Sequence, residues 1–199
     1  MHKLATPWTF YYYQKPSSEE TNYEDSIHKI SKFSTCEEFW AIYSYLIRPK
    51  KLNSSLALHL FRNDSRAMWE DEENRNGGSF LLRFPKGQAI NIVWEKLVLS
   101  LIGEQFPSDV NGIVVSTRSK YDLIHIWHKT TSDEAVKMEI CSTIWRVLDL
   151  ATNAQIDYSP FQTILNNHKI CPTKYTYDKR EKRFVVVPFS SNPSPTNAS

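Results

Sequence analysis

Gly112-Ile113-Val114-Val115-Ser116-Thr117-Arg118-Ser119-Lys120-Tyr121-Asp122-Leu123-Ile124-His125-Ile126-Trp127-His128 reads as two strands joined by a turn. β-Branched residues fill both arms, and Ser119 to Asp122 make the slightly long turn of a hairpin, with Arg118 at its mouth. Period-two alternation puts Leu123, His125 and Trp127 on one face and Ile124 and Ile126 on the other. The isoleucine face suits a core, which leaves Trp127 toward the opposite surface. Working outward, further strand-like runs occur at Leu56 to Phe61, Phe80 to Phe84 and Thr9 to Gln14 upstream. Downstream they recur at Gln155 to Tyr158 and Arg183 to Val187.

Three helical patterns interrupt the strands. Thr35-Cys36-Glu37-Glu38 is a capping box, so a helix starts near Cys36 and runs to Pro49. Its stripe is Phe39, Ile42, Tyr43, Leu46 and Ile47. Trp40 sits at the edge of that stripe, on the side of Cys36. It either caps the border of the core or stands out as a docking platform. Val93 to Gln105 is the second helix, with Trp94, Leu97, Val98 and Leu101 inward and Glu95, Leu99 and Gly103 on another face. Thr131-Ser132-Asp133-Glu134 is a second capping box and opens a helix carrying Val136, Ile140, Ile144, Val147 and Leu148. Residues 159 to 182 read as irregular, with a basic loop from Lys174 to Lys182. Strand runs broken by three helices predict an α+β domain over 1–187, with a Pro/Ser/Asn-rich tail over 188–199 expected to be disordered.

Composition narrows the function. A chain of 199 residues fits one domain with a sizeable core. Its formal charge of +2 argues against a broad polyanion surface but allows a small basic patch for a few phosphates. Cys36, Cys141 and Cys171 have no motif spacing, which reads as reduced thiols in the cytosol or nucleus. No apolar run approaches membrane-spanning length, and a soluble monomer is expected. Enzyme chemistry finds little support. There is no phosphate-cradling Gly loop, and His125 and His128 point to opposite faces of one strand. Cys141 suits core filler, and the consecutive acids Glu70 to Glu73 diverge. No metal and no cofactor are expected.

The loop Ala67-Met68-Trp69-Glu70-Asp71-Glu72-Glu73-Asn74-Arg75-Asn76-Gly77-Gly78 carries the binding chemistry. An indole face beside two acceptor oxygens suits a flat, donor-bearing, preferably cationic ring such as an alkylated purine. The alternative is a surface loop whose Trp folds back into the core and whose acids are merely solvated.

Phe33-Ser34-Thr35-Cys36-Glu37-Glu38-Phe39-Trp40, Met68-Trp69-Glu70-Asp71 with Gly77-Gly78, and Leu101-Ile102-Gly103-Glu104, in that order, resemble the mRNA cap-binding translation initiation factor 4E family. The similarity runs from about His2 to Tyr158. It implies a curved antiparallel sheet with three helices on its convex back and the ligand in the concave front. It further implies that Trp69 and Tyr23 stack on the 7-methylguanosine cap of mRNA, that Glu70 accepts the base's N1 and N2 protons, and that Trp127 touches the methyl group. Arg118 matches a phosphate-binding Arg. Leu123 stands where the family usually has a phosphate-binding Lys, which Lys120 is placed to replace in part. On the back, Trp40, Cys36, Leu99 and Gly103 match a docking surface for helices bearing Tyr-x-x-x-x-Leu-apolar, as in 4G-type scaffolds and 4E-binding proteins. Tyr23 and Trp94-Glu95-Lys96-Leu97 resemble the 4E-homologous subfamily, whereas Trp8 fits it less well. Two functions stay open: a cap-binding regulator of translation initiation, or a 4E-like interaction module that binds cap poorly and represses translation.

Overall fold

Alternation along β5 (Val110–Thr117) and β6 (Tyr121–His128) sets the layout. Ile113, Val115, Ile124 and Ile126 are fully buried in the main core, while Val114 and Trp127 join a second cluster on the other side of the sheet. The computed structural model describes residues 1–16, 22–87, 89–151, 154–166 and 172–187. Among them, seven further strands extend the hairpin: β1 (Lys3–Gln14), β2 (Ile27–Thr35), β3 (Leu56–Arg62), β4 (Gly78–Pro85), β7 (Gln155–Pro160), β8 (Thr173–Asp178) and β9 (Arg183–Val187). They form one open sheet in the order β2-β1-β3-β5-β6-β4-β7-β8-β9. A register shift between Val110 and Gly112 bends β5, as bulges do. A side chain at Gly112 would run into the Phe61 ring, so this glycine lets β3 and β5 pack closely.

Helices α1 (Cys36–Tyr43), α2 (Ile90–Ile102) and α3 (Glu134–Leu148) cover one face. Phe39, Tyr43, Trp94, Leu97 and Ile144 meet Trp8, Phe10, Leu60 and Phe80 there, all essentially without solvent exposure. Each such side chain contributes about 1.5–3 kcal/mol of transfer free energy, which makes this layer the main stabilising contact of the fold. The second cluster, Tyr11, Ala57, Phe61, Ala67, Val114, Trp127 and Phe161, lies on the open face.

The α1 capping box forms as the sequence implies: Thr35 Oγ1 accepts from the Glu38 N–H, and the Glu38 carboxylate accepts from the Thr35 N–H. Several boundaries differ. α1 ends at Tyr43 instead of reaching Pro49, because the Ser44 hydroxyl bonds back to the Trp40 carbonyl and Tyr45 N–H tightens onto Ile42. Ile47 is consequently exposed. α2 begins and ends three residues earlier than expected and stops at Gly103, whose N–H reaches the Leu99 carbonyl. The cap of α3 is Asp133, which accepts from Val136 N–H, so the Thr131 box does not form. Three elements escaped the sequence reading: strand β2, and, within 159–182, strand β8 and a fourth helix, α4 (Phe161–Leu165). Lys174 interrupts the Thr/Tyr pattern of β8, and α4 is too short for a helical period. The tail expected over 188–199 and Cys171 lie outside the described residues.

Candidate functional site

The open face holds a depression of about 290 Å³. Ala57 and His59 of β3, Val114 and Ser116 of β5, and His125 and Trp127 of β6 form its floor. Tyr13 of β1, Tyr23 and Trp69 also line it, with Arg118 just past the end of β5. Tyr23, Met68, Trp69 and Glu70 also line an adjoining hollow of about 390 Å³. Two residues called from sequence therefore meet in both spaces, Tyr23 and Trp69. Arg118 and Trp127 line the first and Glu70 the second. Lys120 is exposed in the hairpin turn and lines neither.

Each ring is held by local contacts. Tyr23 leads into a short 3-10 turn, Glu24–Ser26, and leans on Tyr13, with centroids 5.1 Å apart. It is 48% exposed, and Trp69 is 38% exposed, so both present aromatic area to the depression instead of folding into the core. Burial of its hydroxyl pushes the Tyr23 phenol up to about 12, with Tyr13 and the Glu70 carboxylate adding to the effect, so the ring is neutral at physiological pH. Trp127 is buried instead, with Phe61 edge-on at 5.5 Å and Phe161 of α4 at 4.3 Å.

The segments carrying Tyr23 and Trp69 are distant in sequence and are tied by Arg66. Its guanidinium pairs with Glu24 on one side and with Asp71, at 3.6 Å, on the other. Burial raises the Asp71 carboxyl, opposed by Arg66 and reinforced by Glu24 and Glu70. Asn74 closes the Trp69 loop from within. It is fully buried, and its amide donates to the carbonyls of Arg66 and Met68, both at 2.8 Å. Its oxygen accepts from Asn111 of β5 at 2.9 Å. Next along the loop, a Cβ on Gly77 would strike the His128 carbonyl, and one on Gly78 would strike the Tyr158 ring. Sequence reading missed Arg66, Asn74, Tyr13 and His59. Only the polar, turn-forming character of 74–78 hinted at the loop's closure.

The basic groups are sparse. Arg118 is exposed and donates to the Ser54 carbonyl at 3.2 Å. Leu123 pairs in register with Arg83 of β4, which is engaged by Asp157 of β7. Two imidazoles face the depression. Burial, and then the nearby His125, pull His59 down to about 3. Burial, then the cations Arg118 and Arg83, pull His125 down to about 4. His128 points to the other side of the sheet, between Asp109 and the Tyr158 hydroxyl, each at 3.0 Å.

On the helical face, Cys36 and Trp40 lie one turn apart on α1, and Leu99 and Gly103 one turn apart at the end of α2. Trp40 is 47% exposed, resting edge-on against Phe39 and Tyr43, and Leu99 is 38% exposed. Glu95 of α2 pairs with Arg48 at 3.7 Å.

The family model described as eukaryotic initiation factor 4E matches residues 3–175. The eukaryotic translation initiation factor NCBP of Triticum aestivum is 38% identical over 171 residues, which is 84% of this chain and 73% of that protein. The NCBP of Oryza sativa subsp. japonica is 37% identical over 170 residues, 84% of this chain and 74% of that one. Among solved structures, Ascaris suum eIF4E-3 in complex with an m2,2,7G cap superposes with a TM-score of 0.77 at 26% identity, covering 86% of this chain and 96% of that one. Caenorhabditis elegans eIF4E-3 with the 4E-binding protein Mextli and a cap analogue gives 0.76 at 26%, covering 85% and 98%.

Removing the Asn74 side chain strands the Asn111 amide and two loop carbonyls in a buried site. Asn74→Ala is expected to lower stability by about 2–4 kcal/mol, since each buried group left unpaired costs about 1–3 kcal/mol. Urea unfolding followed by tryptophan fluorescence measures it, and a midpoint equal to that of the native chain would show that the loop closes without Asn74.

Proposed function

The chain belongs to the eukaryotic initiation factor 4E family, and on that footing we propose that it binds the 7-methylguanosine cap of mRNA on the open face of its sheet and regulates translation initiation through helical partners docked on the other. The observation that carries this reading is the pair of half-open rings, Tyr23 and Trp69, lining one depression with Glu70 beside them. N7 methylation makes the guanine ring cationic, and aromatic faces favour such a ring over an unmethylated one. Tyr23 and Trp69 supply the faces. Glu70 accepts the ring N–H groups along the edge. Trp127, fixed by Phe61 and Phe161, borders the methyl group. Arg118, with its planar fork of donors, takes the phosphates, and Lys120 assists from the turn. The chemistry is recognition, with no bond made or broken.

Trp40 and Leu99 leave apolar area on the helical face, which suits a partner helix with a Tyr and a Leu-apolar pair. Cys36 and Gly103 border the same surface. A second reading has one observation behind it: Leu123 supplies no charge beside Arg118, and its register partner Arg83 is already engaged by Asp157. On that reading the chain holds partners through Trp40 and binds cap weakly, as a repressor.

Retention on a cap-analogue resin, eluted by methylated but not by unmethylated GTP, separates the two. Glu70→Ala is expected to lose retention, because a carboxylate accepting two hydrogen bonds is worth about 1.5–3 kcal/mol or more. Unchanged retention would place the base elsewhere. Trp40→Ala is expected to remain on the resin and to lose capture of a helical Tyr-x-x-x-x-Leu-apolar peptide. A joint loss of both, with a lower melting temperature, would mean that Trp40 acts as core.

Tyr23→Trp and Leu123→Lys are each expected to tighten binding to a cap dinucleotide. The indole gains a fraction of the cation–π range, under about 1 kcal/mol. The lysine gains roughly 1 kcal/mol, screened by solvent and more evident at low salt. Together they amount to about tenfold. Titration of tryptophan fluorescence at two ionic strengths reads both, and no tightening in either variant would remove Tyr23 and Leu123 from the site.

A further inference from the structure

We propose that His125 is a phosphate ligand of this site and takes up a proton when the phosphate chain arrives, so that cap binding is linked to pH. The inference rests on the cap-binding reading above and deepens it.

The placement comes from strand register. His59 of β3 pairs with Val114 of β5, and Val114 pairs with His125 of β6. Register partners share a face, so the two imidazoles flank Val114 on the floor of the depression. Neighbouring strands lie about 4.8 Å apart, which puts the two Cα atoms about 10 Å apart. A phosphate or ribose over Val114 fits that gap. Arg118 borders the same space. His59 is 1% exposed, and its Nδ1 has no hydrogen-bond partner among the described residues. Buried ring nitrogens are ordinarily paired, so His59 is an under-satisfied polar group in the floor of the depression.

The charged groups around His125 decide what it does. Arg118 faces it from the end of β5 and Arg83 from β4. Asp157 of β7 is occupied by Arg83, and Lys174 of β8 lies beyond it in register. From β3 comes only the neutral His59. Leu123, on the same face, is aliphatic. Without ligand, burial and two guanidinium groups therefore keep His125 neutral, with its titration near 4. A phosphate chain reverses the sign of that field. Its charge offsets Arg118 and Arg83, and its oxygens accept from a ring that now gains from carrying a second N–H. The proton comes from solvent. The more deeply buried His59 stays neutral.

The linkage has a definite direction. The bound form holds more protons than the free form, so affinity rises as pH falls through the bound-state value and levels off near 4, where the free form titrates. If binding restores an ordinary imidazole value of about 6.5, affinity gains about tenfold between about pH 7.5 and about pH 5.5.

Fluorescence titrations of the full chain with the dinucleotide m7GpppG and with the 7-methylguanosine nucleoside, across that range at constant salt, test this. The bridging phosphates do not titrate there, and both ligands share the methylated base, so base protonation and Glu70 cancel in the affinity ratio. The ratio is expected to rise about tenfold toward acid, to be flat in His125→Gln, and to keep its slope in His59→Gln. Nucleoside that fails to bind at any pH overturns the cap-binding reading itself. Nucleoside that binds while the native ratio stays flat overturns the proton uptake alone. A slope that survives in His125→Gln, or vanishes in His59→Gln, removes the proton from His125.

Discussion

A sheet has two faces, and three helices can cover only one. The rest of the structure follows from that constraint. Aromatic and aliphatic residues at alternate positions, Trp8, Phe10, Leu60, Phe80, Ile113 and Ile126, commit one face to α1, α2 and α3. The intervening positions are then forced to the other face whatever their chemistry. There the chain places Ser79, Ser116, His125, Arg83 and Asp157 beside Tyr13 and Trp127. Stability is concentrated on the covered side, and recognition is left to a face whose polar groups are only partly satisfied by protein. His59 shows the cost of that division: a nitrogen buried without a partner among the described residues is tolerated because the helical side supplies the stability.

The open face alone would be a shallow trough. Its walls come from two connections, one after β1 and one after β3, and side chains tie them down. Arg66 does so by charge, spanning Glu24 and Asp71, and Asn74 does so by satisfying two carbonyls of the loop and anchoring to Asn111 of β5. The two devices differ in their response to solution conditions. The Arg66 pairs are partly exposed and weaken with salt, whereas the Asn74 bonds are buried and do not. The loop carrying Trp69 is therefore fixed to the sheet, and the Tyr23 segment is the wall more easily displaced.

Legibility followed the reach of each signal. The β5–β6 hairpin, the α1 capping box and the inward stripe of α2 depend on neighbours within a few residues, and the sequence reading placed them within a turn or so. β8 and α4 depend on being held against β7 and Trp127, and no local pattern announced them. The site divides in the same way. Trp69 and Glu70 were conspicuous as an indole and an acid in a turn-rich loop, and Trp127 emerged from alternation. Their grouping with Tyr23 and Arg118 came from resemblance. Asn74 and His59 were invisible, because their significance lies in burial and register with β5, which one strand cannot reveal.

Charge placement in the acidic loop bears on how a ligand would lie. Of its four consecutive acids, Asp71 is matched by Arg66 and Glu73 by Lys129 at 2.6 Å. Among the described residues Glu70 and Glu72 have no such partner. An arginine on Glu70 would occupy the acceptor oxygens and cancel its charge. Left unpaired, Glu70 attracts a cationic ring edge and repels phosphate. Arg118, past the end of β5, does the opposite, and Arg83 and the neutral imidazoles extend the anion-tolerant side across β6 and β4. On the proposed reading this polarity fixes the orientation of the cap before any close contact forms. The reversed pose would set phosphate against a free carboxylate and a cationic ring against a guanidinium, two like-charge contacts at once. With a net charge of only +2 the chain has little general attraction for RNA, so discrimination must come from this local dipole and not from the size of the field.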